Sequence, residues 1–260
     1  MSDRERLRSV FGEDAERYDR CRPGYPSQVF DVLTAAVGEG ARVLEIGCGT
    51  GQASVPLAGR GFALTALDRS EEMAKIAREH LDDYPSARVV VEDFETWALP
   101  PVGFDLVVAA TSFHWLDPAL RMVKAADALR PRGVLAVVST HHIAGGSEES
   151  FTRIQRCYER FDPLTEPGRR LPTADEIAQD PEEFYRSGRF SRPEFHRYEW
   201  EVAYAEEQYL DLLMTYSGHR AMPESAREQL LTCIGRCVEE GGGTITKRYL
   251  TQLACAQRLG

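Results

Sequence analysis

The chain has 260 residues, a formal net charge of -10, 43% hydrophobic and 28% charged residues, a balance that suits a globular protein with a real core and excludes disordered, collagenous and coiled-coil classes. The acid excess repels nucleic-acid backbones and anionic lipid, so neither is an expected partner and a small molecule is. The longest apolar runs, 106–110 and 134–138, fall far short of the roughly 20 residues that cross a bilayer, and MSDRERLRSVFGED has no apolar stretch of a secretory signal, so a cytoplasmic location is expected.

From Ala41 to Thr140 short apolar strands alternate with helical stretches, the pattern of a parallel sheet covered by helices. ARVLEI is the first strand, and a glycine-rich turn leads into a helix from Gln52 to Arg60. FALTAL is the second strand. Ser70 then caps a helix that carries Glu71 and Glu72 in its first turn and runs to about Asp83. ARVVVE and FDLVVAA (104–110) are strands three and four, the latter apolar enough to be buried on both faces. Asp117 and Pro118 open a helix to Leu129, PRG turns the chain, and VLAVVST is strand five.

Between His141 and Phe195 five prolines punctuate charged helical pieces, which reads as an insertion or lid. Arg153, Arg156, Arg169 and Arg170 in it either draw in an anionic ligand or form a solvated face. Period-two apolar spacing at Tyr198, Trp200, Val202 and Tyr204 marks a further strand. Helices over about 206–217 and 224–239 and a last strand from Thr244 to Ala256 complete the chain, with GGG at 241–243 as a turn. The expected organisation is a core with an N-terminal helical cover over 1–140, a helical insertion over 141–195, and C-terminal strands and helices over 196–260. Six cysteines without a C-x-x-C pair read as reduced thiols, Cys233 and Cys237 one helical turn apart, and no metal site is expected.

The strongest signal is VLEIGCGTG, Val43 to Gly51, after a strand and before a helix. Glycines at 47, 49 and 51 clear side chains from one edge of the turn, so the backbone can approach a ligand and adopt positive φ. That place is the carboxyl end of a strand, where open α/β sheets bind ligands. Gln52 breaks the dinucleotide fingerprint G-x-G-x-x-G, and no G-K-[ST] follows to hold phosphate. Asp68 ends strand two, 19 residues beyond Gly49, where a carboxylate can accept two sugar hydroxyls or cap the next helix. Asp93-Phe94 ends strand three.

These motifs, in this order, resemble the class I S-adenosylmethionine-dependent methyltransferases. The Y-D-x-x-R-P-x-Y-P-like segment from Tyr18 to Pro26 and the F-H-W of 113–115 are similar to the branch of trans-aconitate and cantharidin methyltransferases. The resemblance implies a Rossmann-like, mostly parallel seven-stranded sheet with an antiparallel last strand. It implies S-adenosyl-L-methionine as cofactor, held by Glu45, Gly47, Cys48, Gly49 and Gly51 at the first turn and by Asp68, Arg69 and Met73 after strand two. Asp93, Phe94, Ala109 and Ala110 follow at strands three and four, and Tyr18 and Arg22 close over the methionine end. Arg22 either pairs with the cofactor carboxylate or is a surface arginine. Tyr25, Phe113, Trp115, His141, Tyr216 and His219 are expected at the acceptor.

His114 is the candidate general base, with plain packing against Trp115 as the other reading. The implied activity is methylation of a small acceptor, in the first place at a carboxylate or hydroxyl oxygen, by a monomer or homodimer. N-, S- or C-methylation, another use of the same cofactor, an NAD-dependent oxidoreductase and a non-catalytic cofactor-binding protein remain open.

Overall fold

A computed structural model describes residues 14–260; the reading of the N-terminal segment as no secretory signal falls mostly on residues 1–13, outside them. Two helices, α1 (Ala15–Cys21) and α2 (Ser27–Val37), precede β1 (Arg42–Ile46), α3 (Ser54–Ala58), β2 (Ala63–Asp68), α4 (Glu71–His80), β3 (Arg88–Val91), β4 (Phe104–Ala110), α5 (Arg121–Ala128) and β5 (Leu129–Ile143). Then come α6 (Glu148–Phe161), α7 (Glu182–Ser187), β6 (Glu194–Ala205), α8 (Glu206–Met214), α9 (Ser217–Ala221), α10 (Glu224–Glu240) and β7 (Thr244–Gln257). The seven strands form one sheet in the order β3-β2-β1-β4-β5-β7-β6, mostly parallel with β7 antiparallel. This is the expected Rossmann-like arrangement.

Several expected boundaries shift, two of them for evident local reasons. The helix expected to start at Asp117 begins at Arg121, because Asp117 spends its carboxylate on the Ala119 N–H (2.9 Å) and closes a separate turn. The PRG turn is absorbed into β5, which starts at Leu129 and carries Arg132 at φ +63° as its irregularity. Elsewhere the expected caps form: the Ser70 hydroxyl accepts from Met73 N–H at 3.3 Å and α4 follows it.

The chain divides into two compact units. The first comprises Pro23–Thr140, Gln179–Tyr198 and Thr251–Gly260; the second comprises the described residues up to Arg22, His141–Ala178 and Glu199–Leu250. The segments 141–195 and 196–260 are thus each shared between units. In the first unit, residues of alternating parity on the parallel strands feed two cores. Val43, Leu64, Leu106 and Val138 join Phe30, Leu33 and Leu57 on one face. Leu44, Leu67, Val107 and Leu135 join Phe94, Phe113, Met122 and Ala125 on the other. Each such buried Leu or Phe contributes roughly 1.5–3 kcal/mol.

The second unit packs Phe151 and Ile154 of α6, Leu212 and Leu213 of α8, and Leu230 and Ile234 of α10 against Ile245 and Tyr249 of β7. A disulfide joins Cys157 to Cys233, which corrects the expectation that all six cysteines are reduced thiols: the packing of α6 against α10 brings together two sulfurs 76 residues apart. Cys237 Sγ, one turn along α10, lies 3.7 Å from Cys157 Sγ. Among the described residues no helix is long and apolar enough to cross a membrane.

Candidate active site

The carboxyl ends of β1, β2, β3 and β4 carry most of the residues singled out from the sequence. At the turn after β1, Gly47, Gly49 and Gly51 have φ of +70°, +57° and +104°, the left-handed region that a side chain makes costly. A Cβ on Gly47 would sit 2.7 Å from Ser112 Cβ, so this glycine also lets the end of β4 come close. Cys48 is buried, donates its N–H to Leu67 O at 2.8 Å and thereby ties the turn to β2.

Asp68 holds the turn from the other side. Its Oδ2 accepts from Gly49 N–H and its Oδ1 from Ser70 N–H, both at 2.9 Å. The carboxylate thus braces the residue that caps α4, Ser70, and the glycine turn together, while the helix cap itself is the Ser70 hydroxyl and not Asp68. With the Arg69 N–H as a further backbone donor, only part of the roughly four-site acceptor capacity of a carboxylate remains. Burial raises its pKa against the pull of these backbone donors. Glu45 is 1% exposed and accepts from Ser54 Oγ at 2.5 Å. Burial pushes its pKa up to about 8, with the Ser54 bond opposing and nearby Asp68 adding to the rise, so it is largely protonated at neutral pH.

At the next tip Asp93 caps its own turn by accepting from Glu95 N–H at 3.0 Å, and Arg69 Nη1 stands 3.9 Å from it. Phe94 is buried in the core with Leu67 and Ile46, and Met73 is buried at the start of α4. At the end of β4, Ala109 is fully buried and Ala110 half-buried.

Two neighbours there escaped the sequence reading. Thr111 has φ +57°, a strained conformation for a β-branched residue of the kind that clusters at functional sites. Its hydroxyl shares a 3.0 Å hydrogen bond with Tyr25 Oη, which brings the expected acceptor residue Tyr25 to this strand end. Ser112 donates to Ile46 O and so links β4 to β1. Nothing in the local spacing marks a threonine for positive φ, and only the run of motifs around it points to the place.

Phe113, His114 and Trp115 form a single 3-10 turn. Phe113 is buried and belongs to the core; His114 is exposed, its ring centroid 4.8 Å from that of Trp115. Partial desolvation, and secondarily Arg121, lower the His114 pKa, so the imidazole is neutral at pH 7 and able to accept a proton. The small-residue turn and the acceptor carboxylate of Asp68 beside it fit a nucleoside of the S-adenosylmethionine kind.

The remaining expected residues, Tyr18, Arg22, His141, Tyr216 and His219, belong to the second unit. There Arg22 donates from Nε and Nη2 to Thr215 Oγ1 (2.8 Å) and O (3.0 Å) and lies over the rings of Tyr18 and Tyr216. His219 Nε2 is 2.8 Å from Tyr158 Oη. His141 is half-buried at the end of β5. Arg170 of the insertion is exposed and paired with Glu176, which places it on a solvated face.

Residues 43–133 match the family of the methyltransferase domain. A protein of Mycobacterium tuberculosis described as an uncharacterized methyltransferase is 35% identical over 128 residues, 49% of this chain and 51% of its own. The trans-aconitate 2-methyltransferase of Variovorax paradoxus is 33% identical over 132 residues, 50% of this chain and 48% of its own. The chain spans about half the length of the curated relatives it matches. A solved structure from Anaeromyxobacter dehalogenans, described as a candidate type II methyltransferase, superposes with a TM-score of 0.63 at 24% identity, over 91% of this chain and 97% of that one, which shows the fold. Residues 43–133 thus carry a methyltransferase domain, of the class I S-adenosylmethionine-dependent kind to which that part of the chain is similar. The distant relatives include trans-aconitate 2-methyltransferases, as the Tyr18–Pro26 and 113–115 segments had implied.

Proposed function

We propose that the chain transfers the methyl group of S-adenosyl-L-methionine to an oxygen of a small metabolite or natural product, a carboxylate before a hydroxyl. The single observation that carries the reading is the Asp68 carboxylate, held against Gly49 N–H at the tip of β2 with acceptor capacity left over. The similarity to a trans-aconitate methyltransferase supports a carboxylate acceptor. When bound, S-adenosylmethionine supplies a methyl group on a positively charged sulfur.

The chain's own part is alignment and exclusion of water, which can account for much of a displacement barrier. In this reading Asp68 accepts from the sugar hydroxyls, the glycine turn admits the donor close to the backbone, and Tyr25 and Thr111 fix the end of β4. A carboxylate oxygen is already ionised and attacks without a base. A hydroxyl must lose a proton, and His114 Nε2 or Nδ1, neutral at pH 7, takes it.

The test is turnover of the full chain with S-adenosylmethionine and a panel of small carboxylic acids, alcohols, amines and thiols, read as S-adenosylhomocysteine release and as mass of the methylated product. Methyl ester formation is the expected result; turnover confined to amine or thiol acceptors, or none beside firm donor binding, defeats the oxygen assignment. With a carboxylate acceptor His114→Ala retains most of the rate, whereas with a hydroxyl acceptor it loses about a hundredfold or more.

A further inference from the structure

The second unit contains a positively charged centre with no matching carboxylate. Lys247 sits on β7 in register with Ile245 and Tyr249, all three buried, and is only 3% exposed. Its Nζ lies 3.2 Å from Tyr216 Oη and 5.0, 5.4 and 5.9 Å from the ring centroids of Tyr249, Tyr216 and Tyr209. Arg22 stands over the same Tyr216 ring, 4.3 Å from its centroid. Among the described residues neither cation has a carboxylate within ion-pair distance, and the bonds of Arg22 go to Thr215.

The neighbouring groups register the surplus. Burial and then Lys247 hold the His142 pKa at about 3 and that of His219 at about 4, so both rings stay neutral. His142 Nε2 is buried without a hydrogen-bond partner. Burial pushes the Tyr216 phenol up, yet Lys247 and Arg22 outweigh it and hold the group below its ordinary range. A desolvated ammonium is costly unless an anion meets it. Aromatic faces give it only partial relief.

We propose that Lys247, with the Tyr216 hydroxyl as a second donor, binds the carboxylate of a small organic anion. The inference turns on Lys247 and Tyr216 of the second unit, and its test is run without the methyl donor.

Succinate is the probe. Isothermal titration of the full chain at neutral pH is expected to give saturable binding with a dissociation constant of about 1 mM or tighter. Lys247→Met weakens it about tenfold or more, Lys247→Arg restores it, and Tyr216→Phe, which keeps the ammonium, weakens it severalfold. Thermal melting checks that each variant folds; Lys247→Met melts no lower than the native chain, since an unmatched charge has been removed. No binding of succinate by the native chain, binding of inorganic phosphate in its place, or native affinity in Lys247→Met overturns the site. Should Lys247→Met fail to fold, native affinity in Tyr216→Phe overturns it as well.

Discussion

At the tip of β2 one carboxylate serves both the fold and the proposed ligand, and the two services can be separated by measurement. Asp68→Ala leaves the N–H groups of Gly49 and Ser70 without their acceptor, a loss of about 1–3 kcal/mol in urea unfolding. The same variant weakens S-adenosylhomocysteine at least about tenfold by calorimetry if sugar hydroxyls also rest on this group. Lower stability with unchanged affinity in the folded protein would leave Asp68 a purely structural cap. Glu45 offers a pH test. Its folded pKa of about 8 lies above the ordinary 4.5, so between these values the folded chain keeps a proton that the unfolded chain releases. Stability therefore declines as pH rises through that window, by up to about 1.4 kcal/mol per pH unit from this group. Glu45→Gln removes that slope; urea titrations at pH 5 and pH 8 that change equally in both proteins refute the assignment.

At the scale of elements, the turn after β1 and the end of β4 are built to touch. Gly47→Ala combines a φ of +70° with a Cβ only 2.7 Å from Ser112, so about 2 kcal/mol or more of stability is lost, and donor binding with it. A melting temperature equal to that of the native chain would show that the turn yields freely. The Cys157–Cys233 bridge spans 76 residues, and loop-closure entropy of that length sets an upper value of about 4.5 kcal/mol, with about 2–4 expected. Unfolding with and without reductant reads it directly, an unchanged midpoint counting against the bond.

The parts legible from sequence were those with a short-range signature. These are the G-x-G-x-G turn, the acids at strand tips, the apolar run of β4 and the Ser70 cap. Contacts distant in the chain were not legible. Ser54 on Glu45 and Tyr25 on Thr111 have no spacing rule, and the Cys157–Cys233 pair depends on how α6 meets α10. Lys247 left a trace, a lone lysine between Ile245 and Tyr249 in the inward register, whose meaning needed the tyrosines around it.

For the whole molecule, the order of strands decides what can be cut. Leu253, Ala254 and Ala256 of β7 lie in the two cores of the first unit, as do Phe184 and Phe190. A fragment ending at Thr140 includes the glycine turn and every acidic strand tip, yet it lacks these residues and the neighbour of β5 in the sheet. It is expected to lack a cooperative thermal transition by circular dichroism; a sharp one near that of the full chain would show the N-terminal half to be self-sufficient. The position of β7 between β5 and β6 also bears on synthesis. Made after the other six strands, it is the strand that β6 needs on its inner side, so the ribosome must extend the chain past residue 257 before this sheet can close. Until then β5 and β6 each offer an open edge of the kind that invites aggregation.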